Sequence, residues 1–360
     1  MRICHLHVGT PKTGSTTIQG FLQNRRDVIE ARGLGLPTFP PRTIAMTGRQ
    51  LARHLPLEQD PAAPVTRSWR WLGRHLAATD GDLLITRESL STDFAKAERF
   101  AFVRQFFARR GVRLHIIGYV RDTPDRINAT YTQHAKRLRL TRSFNRWIAS
   151  ASPEQNPNFS PWRVFRHMIE ADDVDLTLKS FEAVKGRLVE DFLETVGRGD
   201  VDARGFDDRS YRNASPGPKA IEAALTIRRR LNERGFDPKA LMDYSMAFEA
   251  ALAERGWNET AFFGPDPALA AQLSARYAEE NDRFALAVWG RPWSERVAAT
   301  DRLRNVFDPK RASLRDLADI DDLARDAIAR GDAALRPVSR ALAVFTRLRR
   351  RLAGVSPRAA

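Results

Sequence analysis

Arg2-Ile-Cys-His-Leu-His-Val-Gly-Thr-Pro-Lys-Thr-Gly-Ser-Thr-Thr-Ile18 opens the chain, and its reading decides the fold. An apolar run, a loop of Gly, Pro, Lys and Thr, and helix-forming Thr16 to Leu22 predict strand, turn and helix. Gly9 and Gly14 let the backbone turn tightly and approach a ligand, so that successive N–H groups face one set of anionic oxygens. Helix entry near Ser15 and Thr16 adds unpaired donors and roughly half a positive charge. Lys12 adds a full charge, and Ser15, Thr16 and Thr17 add hydroxyls. The ligand this predicts is a phosphate. In the nucleotide-binding pattern G-x-x-x-x-G-K-[ST] the lysine follows the last glycine, whereas here Ser15 follows Gly14 and Lys12 precedes it. An ordinary ATPase or kinase loop is therefore disfavoured.

Two segments further on end apolar runs in charged residues. Asp82-Leu-Leu-Ile-Thr-Arg-Glu-Ser-Leu-Ser91 reads as a short strand with Arg87, Glu88 and Ser89 at its carboxyl end. Ligands bind beyond the carboxyl ends of open parallel sheets, so these side chains are expected beside the loop. Arg113-Leu-His-Ile-Ile-Gly-Tyr-Val120 reads as a strand buried on both faces. It runs directly into Arg-Asp-Thr-Pro-Asp-Arg-Ile-Asn-Ala-Thr-Tyr-Thr-Gln133, a charged turn followed by a helix.

Pro11-Lys-Thr-Gly-Ser-Thr-Thr17 resembles the 5′-phosphosulfate loop of sulfotransferases that use 3′-phosphoadenosine 5′-phosphosulfate (PAPS), relatives of the P-loop kinases. The turn from Tyr119 to Gln133 resembles the 3′-phosphate motif of the same family, with Arg121 as guanidinium clamp on a dianion. The resemblance implies a three-layer, P-loop-kinase-like parallel sheet flanked by helices. It assigns cofactor binding to Pro11, Lys12, Thr13, Gly14, Ser15, Thr16, Thr17 and Arg121. It implies Lys12 and Glu88 as catalytic residues, Glu88 being the base for the acceptor hydroxyl. The family serine is missing: eight residues beyond Arg121 stands Ala129, and Thr130 follows it. A turn longer by one residue gives Thr130 the serine's role; otherwise that contact is absent. Thr17 stands where small-phenol members usually carry tryptophan, which favours a carbohydrate acceptor. Arg87, His134 and Lys136 are candidates for acceptor binding, and Arg209, Arg212 and Ser215 for a loop over the 3′-phosphate.

At 360 residues the chain can bury a substantial core, and its composition is that of a soluble globular protein. No apolar run approaches a membrane span, and the immediate start of a strand argues against a signal peptide. A lone cysteine, Cys4, forbids an intrachain disulfide, which suits a reducing cytoplasm; in the first strand it is expected to be core. The net charge of +15 implies anionic partners. Nucleic acid is not among them, since no basic patch with interleaved aromatics or recognised motif occurs. No metal is expected, because Lys12 supplies the charge and no cluster of ligand spacing is present.

The remaining expectations concern organisation. Helices are predicted over Gln50–His54, Arg67–Ala78, Phe94–Arg110, Leu188–Val196, Pro218–Arg234, Asp266–Trp289 and Leu314–Arg330, with another strand near Asp173–Glu182. Trp69, Trp71, Tyr277, Asn281 and Phe284 read as packing residues. The division expected is a PAPS-binding core over 1–215, a helical extension shaping the acceptor site over 216–335, and a basic amphipathic tail, read as a helix, over 336–360. That tail holds Arg336, Arg340, Arg347, Arg349, Arg350, Arg351 and Arg358 with no acid after Asp332, which suits a peripheral contact with the inner membrane face. Two rivals stand beside a sulfotransferase: a nucleotide-dependent kinase, for which Asp122 is the nearest magnesium-binding acid, and a non-catalytic glycan-binding or membrane-associated protein.

Overall fold

In the computed structural model the chain is described over residues 1–39, 44–149, 156–204, 206, 215–257 and 260–352, with backbone alone at 46 and 336–352. Its elements run β1 (Arg2–Gly9), α1 (Ser15–Asn24), α2 (Arg26–Glu30), β2 (Leu34–Gly35), α3 (Ile44–His54), α4 (Arg67–Ala78), β3 (Asp82–Thr86), α5 (Leu90–Phe94) and α6 (Ala97–Ala108). Then come β4 (Val112–Val120), α7 (Thr123–Lys136), α8 (Phe144–Ala149), α9 (Pro161–Ile169), β5 (Val174–Ser180), α10 (Phe181–Val184) and α11 (Leu188–Thr195). The rest is helical: α12 (Pro218–Glu233), α13 (Leu241–Arg255), α14 (Pro267–Trp289), α15 (Trp293–Arg296) and α16 (Leu314–Leu352). They group into two compact units, the first formed by Met1–Ile127, Ala151–Asn213 and Ala268–Asp301, the second by Asn128–Ser150, Ala214–Pro267 and Arg302–Ala360.

The first unit is an α/β sheet of five parallel strands in the order β2-β3-β1-β4-β5. Alternating side chains give the sheet two apolar faces. Cys4, Leu6 and Val8, with Leu83, Ile85, Leu114, Ile116 and Leu178, pack with Trp69 of α4, Phe106 of α6 and Phe165 of α9. Leu84, Ile117 and Tyr119 on the opposite face meet Ile18, Phe21 and Leu22 of α1 and Phe192 of α11. Burying each such large side chain contributes about 1.5–3 kcal/mol, which is what fixes the helices on both faces. The chain leaves β1 toward β2 and leaves β4 toward β5, so its direction reverses between β1 and β4. A crevice at the carboxyl ends opens at such a reversal.

Three expectations need correction. The first is β4, which is buried on both faces only in its second half: Arg113 is exposed and His115 half-buried. On that face Arg113 pairs with Asp175, and His115 lies between His5 Nδ1 (3.0 Å) and Thr177 Oγ1 (2.9 Å). The helix expected over Phe94–Arg110 is two helices, because Phe94 and Phe100 are both buried with rings 5.4 Å apart. On one straight helix they would point about 120° apart, so the chain breaks and extends at Lys96. Finally, α3 starts at Ile44, well before Gln50, and β2 is too short to leave a periodic signal. Trp69, Tyr277, Asn281 and Phe284 are buried as expected, as is Cys4.

In the second unit α12 and α13 pack on α16. Arg234 pairs with Asp332, whose carboxylate also accepts from Tyr244 (2.6 Å). Asn128 clips the chain to itself, its amide donating to Phe262 O (3.1 Å) and accepting from Gly264 N (2.9 Å). The helix expected over Leu314–Arg330 and the one expected in the basic tail are a single helix, continuous as far as Leu352.

Candidate active site

Three strand ends are laced together at the carboxyl edge. Thr10 N and Thr10 Oγ1 both donate to Tyr119 O at 3.0 Å, tying the β1 loop to β4. Arg87 N donates to His7 O (2.8 Å), tying the end of β3 to β1. The loop between β1 and α1 then turns through left-handed backbone at Gly9 (φ 86°), Lys12 (φ 71°) and Gly14 (φ 77°). Gly9 is required twice over, since a methyl there would stand 2.9 Å from Glu88 Cα. Gly14 is likewise fixed, a methyl there falling 2.2 Å from Leu188 Cδ2. Lys12 has no such licence. A side-chain residue in left-handed backbone costs roughly 1–2 kcal/mol, and strain of this kind concentrates where ligands are held.

The helix that follows begins open. Gly14 caps α1 without a side-chain bond, and no acid occupies the first turn, so the N-terminal donors keep their positive field. Thr16 is exposed, while Pro11, Lys12, Gly14 and Thr17 are partly exposed. Two of the predicted hydroxyls face inward instead. Thr13 donates to Thr10 O (2.6 Å) and holds the loop's shape. Ser15 is 3% exposed and its hydroxyl has no hydrogen-bond partner, nor has that of Ser180 at the end of β5. Leaving such a group buried and unpaired costs about 1–3 kcal/mol, which a phosphate oxygen at the helix terminus would recover.

Arg121 comes to the loop from β4. Its Nη1 lies 3.4 Å from Lys12 O, its Nε 3.3 Å from Glu182 Oε1, and its Nη2 3.5 Å from Asp125 Oδ1. The ring of Phe181 is 5.3 Å from the guanidinium carbon and packs on Gly14 as well. Burial raises the Glu182 carboxyl, and Arg121 only partly offsets it. Burial also raises Asp122, 4% exposed, whose carboxylate accepts from Thr300 N (3.0 Å).

Glu88 follows the end of β3, its carbonyl accepting from Ser91 Oγ (2.9 Å) and its backbone lying against Gly9. Arg87 donates from Nε to Ser89 Oγ (3.0 Å), and burial lowers its guanidinium. Under the strand ends lies His7, missed in the sequence. Its Nδ1 is 2.8 Å from Thr86 Oγ1, its Nε2 has no partner, and burial pushes its pKa down to about 4. Also missed were Glu182 and Leu188, whose roles depend on contacts far apart in the chain.

Thr130, His134 and Lys136 lie on the part of α7 that belongs to the second unit. There Lys136 pairs with Glu249 (3.3 Å), and His134, lowered by burial, packs edge-on to Trp147. Thr130 and Ala129 are both partly exposed. Arg209 and Arg212 lie outside the described residues; Ser215 is exposed.

No family model, curated protein or solved structure matches the chain. Among the described residues no group of three or more His, Cys, Asp or Glu is arranged to hold a metal ion. Nor is any described helix long and apolar enough to cross a membrane.

Proposed function

We propose that the chain is a P-loop sulfotransferase that moves a sulfuryl group from PAPS to a hydroxyl, or less readily an amine, of a carbohydrate or other metabolite. The observation that carries this reading is the approach of Arg121 to the lysine loop, 3.4 Å from Lys12 O, with the two on adjacent strand ends at the sheet's reversal. One adenosine with anionic groups on its 5′ and 3′ sides suits a guanidinium that reaches the backbone of the loop carrying Lys12. The open start of α1 and the unpaired Ser15 hydroxyl support a phosphate at the loop.

In this reading Lys12 and the N–H groups of Gly14 to Thr17 hold the 5′-phosphate, and Arg121 holds the 3′-phosphate. Glu88 accepts the acceptor's hydroxyl proton as the acceptor oxygen bonds to sulfur. The bond from sulfur to the bridging phosphate oxygen breaks in line, and Lys12 stabilises the charge that this oxygen gains. Adenosine 3′,5′-bisphosphate (PAP) leaves.

Transfer from radiolabelled PAPS to a panel of desulfated glycans tests the proposal. Lys12→Ala is expected to lower transfer by about 10²–10³-fold, the scale of losing one transition-state charge partner. Its circular dichroism should be unchanged. Equal transfer by both proteins would refute the assignment of Lys12, and transfer of phosphate from ATP with magnesium would favour the kinase.

A further inference from the structure

Arg121 is touched at every nitrogen and gripped at none. Charge-assisted contacts normally run about 2.7–2.9 Å. Those from Arg121 to Glu182 and Asp125 are 3.3 and 3.5 Å, and the other oxygen of Glu182, Oε2, is buried without a partner. Two cations on neighbouring elements are engaged elsewhere: Lys179 on β5 is held by Asp191 (2.9 Å) and Thr195 (2.8 Å), and Arg187 before α11 is drawn to Asp191 and Glu194. Two more acids act on Glu182, Asp125 of α7 and Asp122 just before that helix. Three carboxylates thus surround one guanidinium.

We infer that Glu182 is a stand-in for the ligand's 3′-phosphate, pairing with Arg121 until that phosphate displaces it, and so sets how strongly the site prefers a 3′-phosphorylated nucleotide. The inference rests on the sulfotransferase reading and deepens it. Glu182 acts through Arg121 and is a positioning residue. A dianion arriving at Arg121 meets the repulsion of Glu182 in its charged form. A nucleotide lacking the 3′-phosphate leaves the pair intact. Protonation of Glu182 removes the repulsion, and the burial that raises this carboxyl brings that event closer to neutral pH.

Titration calorimetry of the full chain with PAP and with adenosine 5′-phosphate, for the native protein and Glu182→Gln, tests this. At pH 8 the variant should bind PAP about ten-fold tighter, the scale of removing one like charge at this range in a partly buried site. Adenosine 5′-phosphate should change by less than about two-fold. The PAP gap between the two proteins should narrow as pH falls, because protonating Glu182 removes the charge that the variant lacks. Unchanged or weaker PAP binding by the variant would overturn the inference, as would an equal gain for adenosine 5′-phosphate or a gap independent of pH. Failure of PAP to bind either protein would overturn the sulfotransferase reading itself, and this inference with it.

Discussion

Two ionic clusters are centred two residues apart, on Tyr119 in β4 and on Arg121 just beyond it, and they are built on opposite plans. Around Tyr119 the contacts are closed: its hydroxyl donates to Asp191 Oδ2 (3.0 Å), and Lys179 donates to Asp191 Oδ1 (2.9 Å) and Thr195 Oγ1 (2.8 Å). Around Arg121 they are slack, at 3.3–3.5 Å, with an orphaned carboxylate oxygen alongside. The first cluster sits beneath α11 and holds the layers together. The second stands at the strand ends, where the loop carries strain at Lys12 and an unpaired hydroxyl at Ser15. A polar network that satisfies itself stabilises a fold; one that stops short of doing so leaves interactions for a ligand to complete.

Substitutions can break this contrast. Asp191→Ala should have the largest effect on stability, about 3 kcal/mol in a denaturant titration, because it strands the buried Tyr119 hydroxyl and leaves Lys179 with Thr195 alone and no counter-charge there. A loss below about 1 kcal/mol would mean that the closed cluster does not hold the layers.

Acid should act next. His7 is buried with its pKa lowered to about 4, so the unfolded chain takes up a proton near its ordinary value while the folded chain does not. The stability that neutral His7 contributes is therefore complete above about pH 6.5 and declines as pH falls toward 4, by up to about 3 kcal/mol. His7→Gln, which keeps a partner for Thr86, should flatten the decline; parallel losses in both proteins would contradict this origin. Smallest of all, Glu182→Gln should shift stability by less than about 0.5 kcal/mol, since the pair it weakens is long and poorly satisfied. A cost like that of Asp191→Ala would erase the distinction between the clusters.

How far the sequence revealed this depends on the range of the interaction. The loop was legible because strand, glycines, lysine and helix start are contiguous, and the ends of β3 and β4 were legible because charge follows an apolar run abruptly. A parallel sheet was implied by the resemblance, but its strand order, and with it the reversal between β1 and β4, was not read from the sequence. Glu182 was visible only as the end of another strand, and nothing local announced that it would meet Arg121. The same holds for Leu188 against Gly14 and for His7 against Thr86. At Lys12 the left-handed backbone is imposed by its surroundings, and residue type alone gives no sign of it. The exposed half of β4 was misread for the opposite reason: its apolar composition is local, but the His5–His115–Thr177 ladder that leaves it half-covered spans three strands.

The central claim is that one nucleotide is held at both of its anionic ends, and paired titrations of PAP and adenosine 5′-phosphate address it directly. Arg121→Ala should weaken PAP by about ten-fold or more, toward the affinity of adenosine 5′-phosphate, which itself should hardly change; Lys12→Ala should weaken both. If Arg121→Ala weakens the two nucleotides equally, or leaves PAP unaffected, the guanidinium does not hold the 3′-phosphate and the account is wrong.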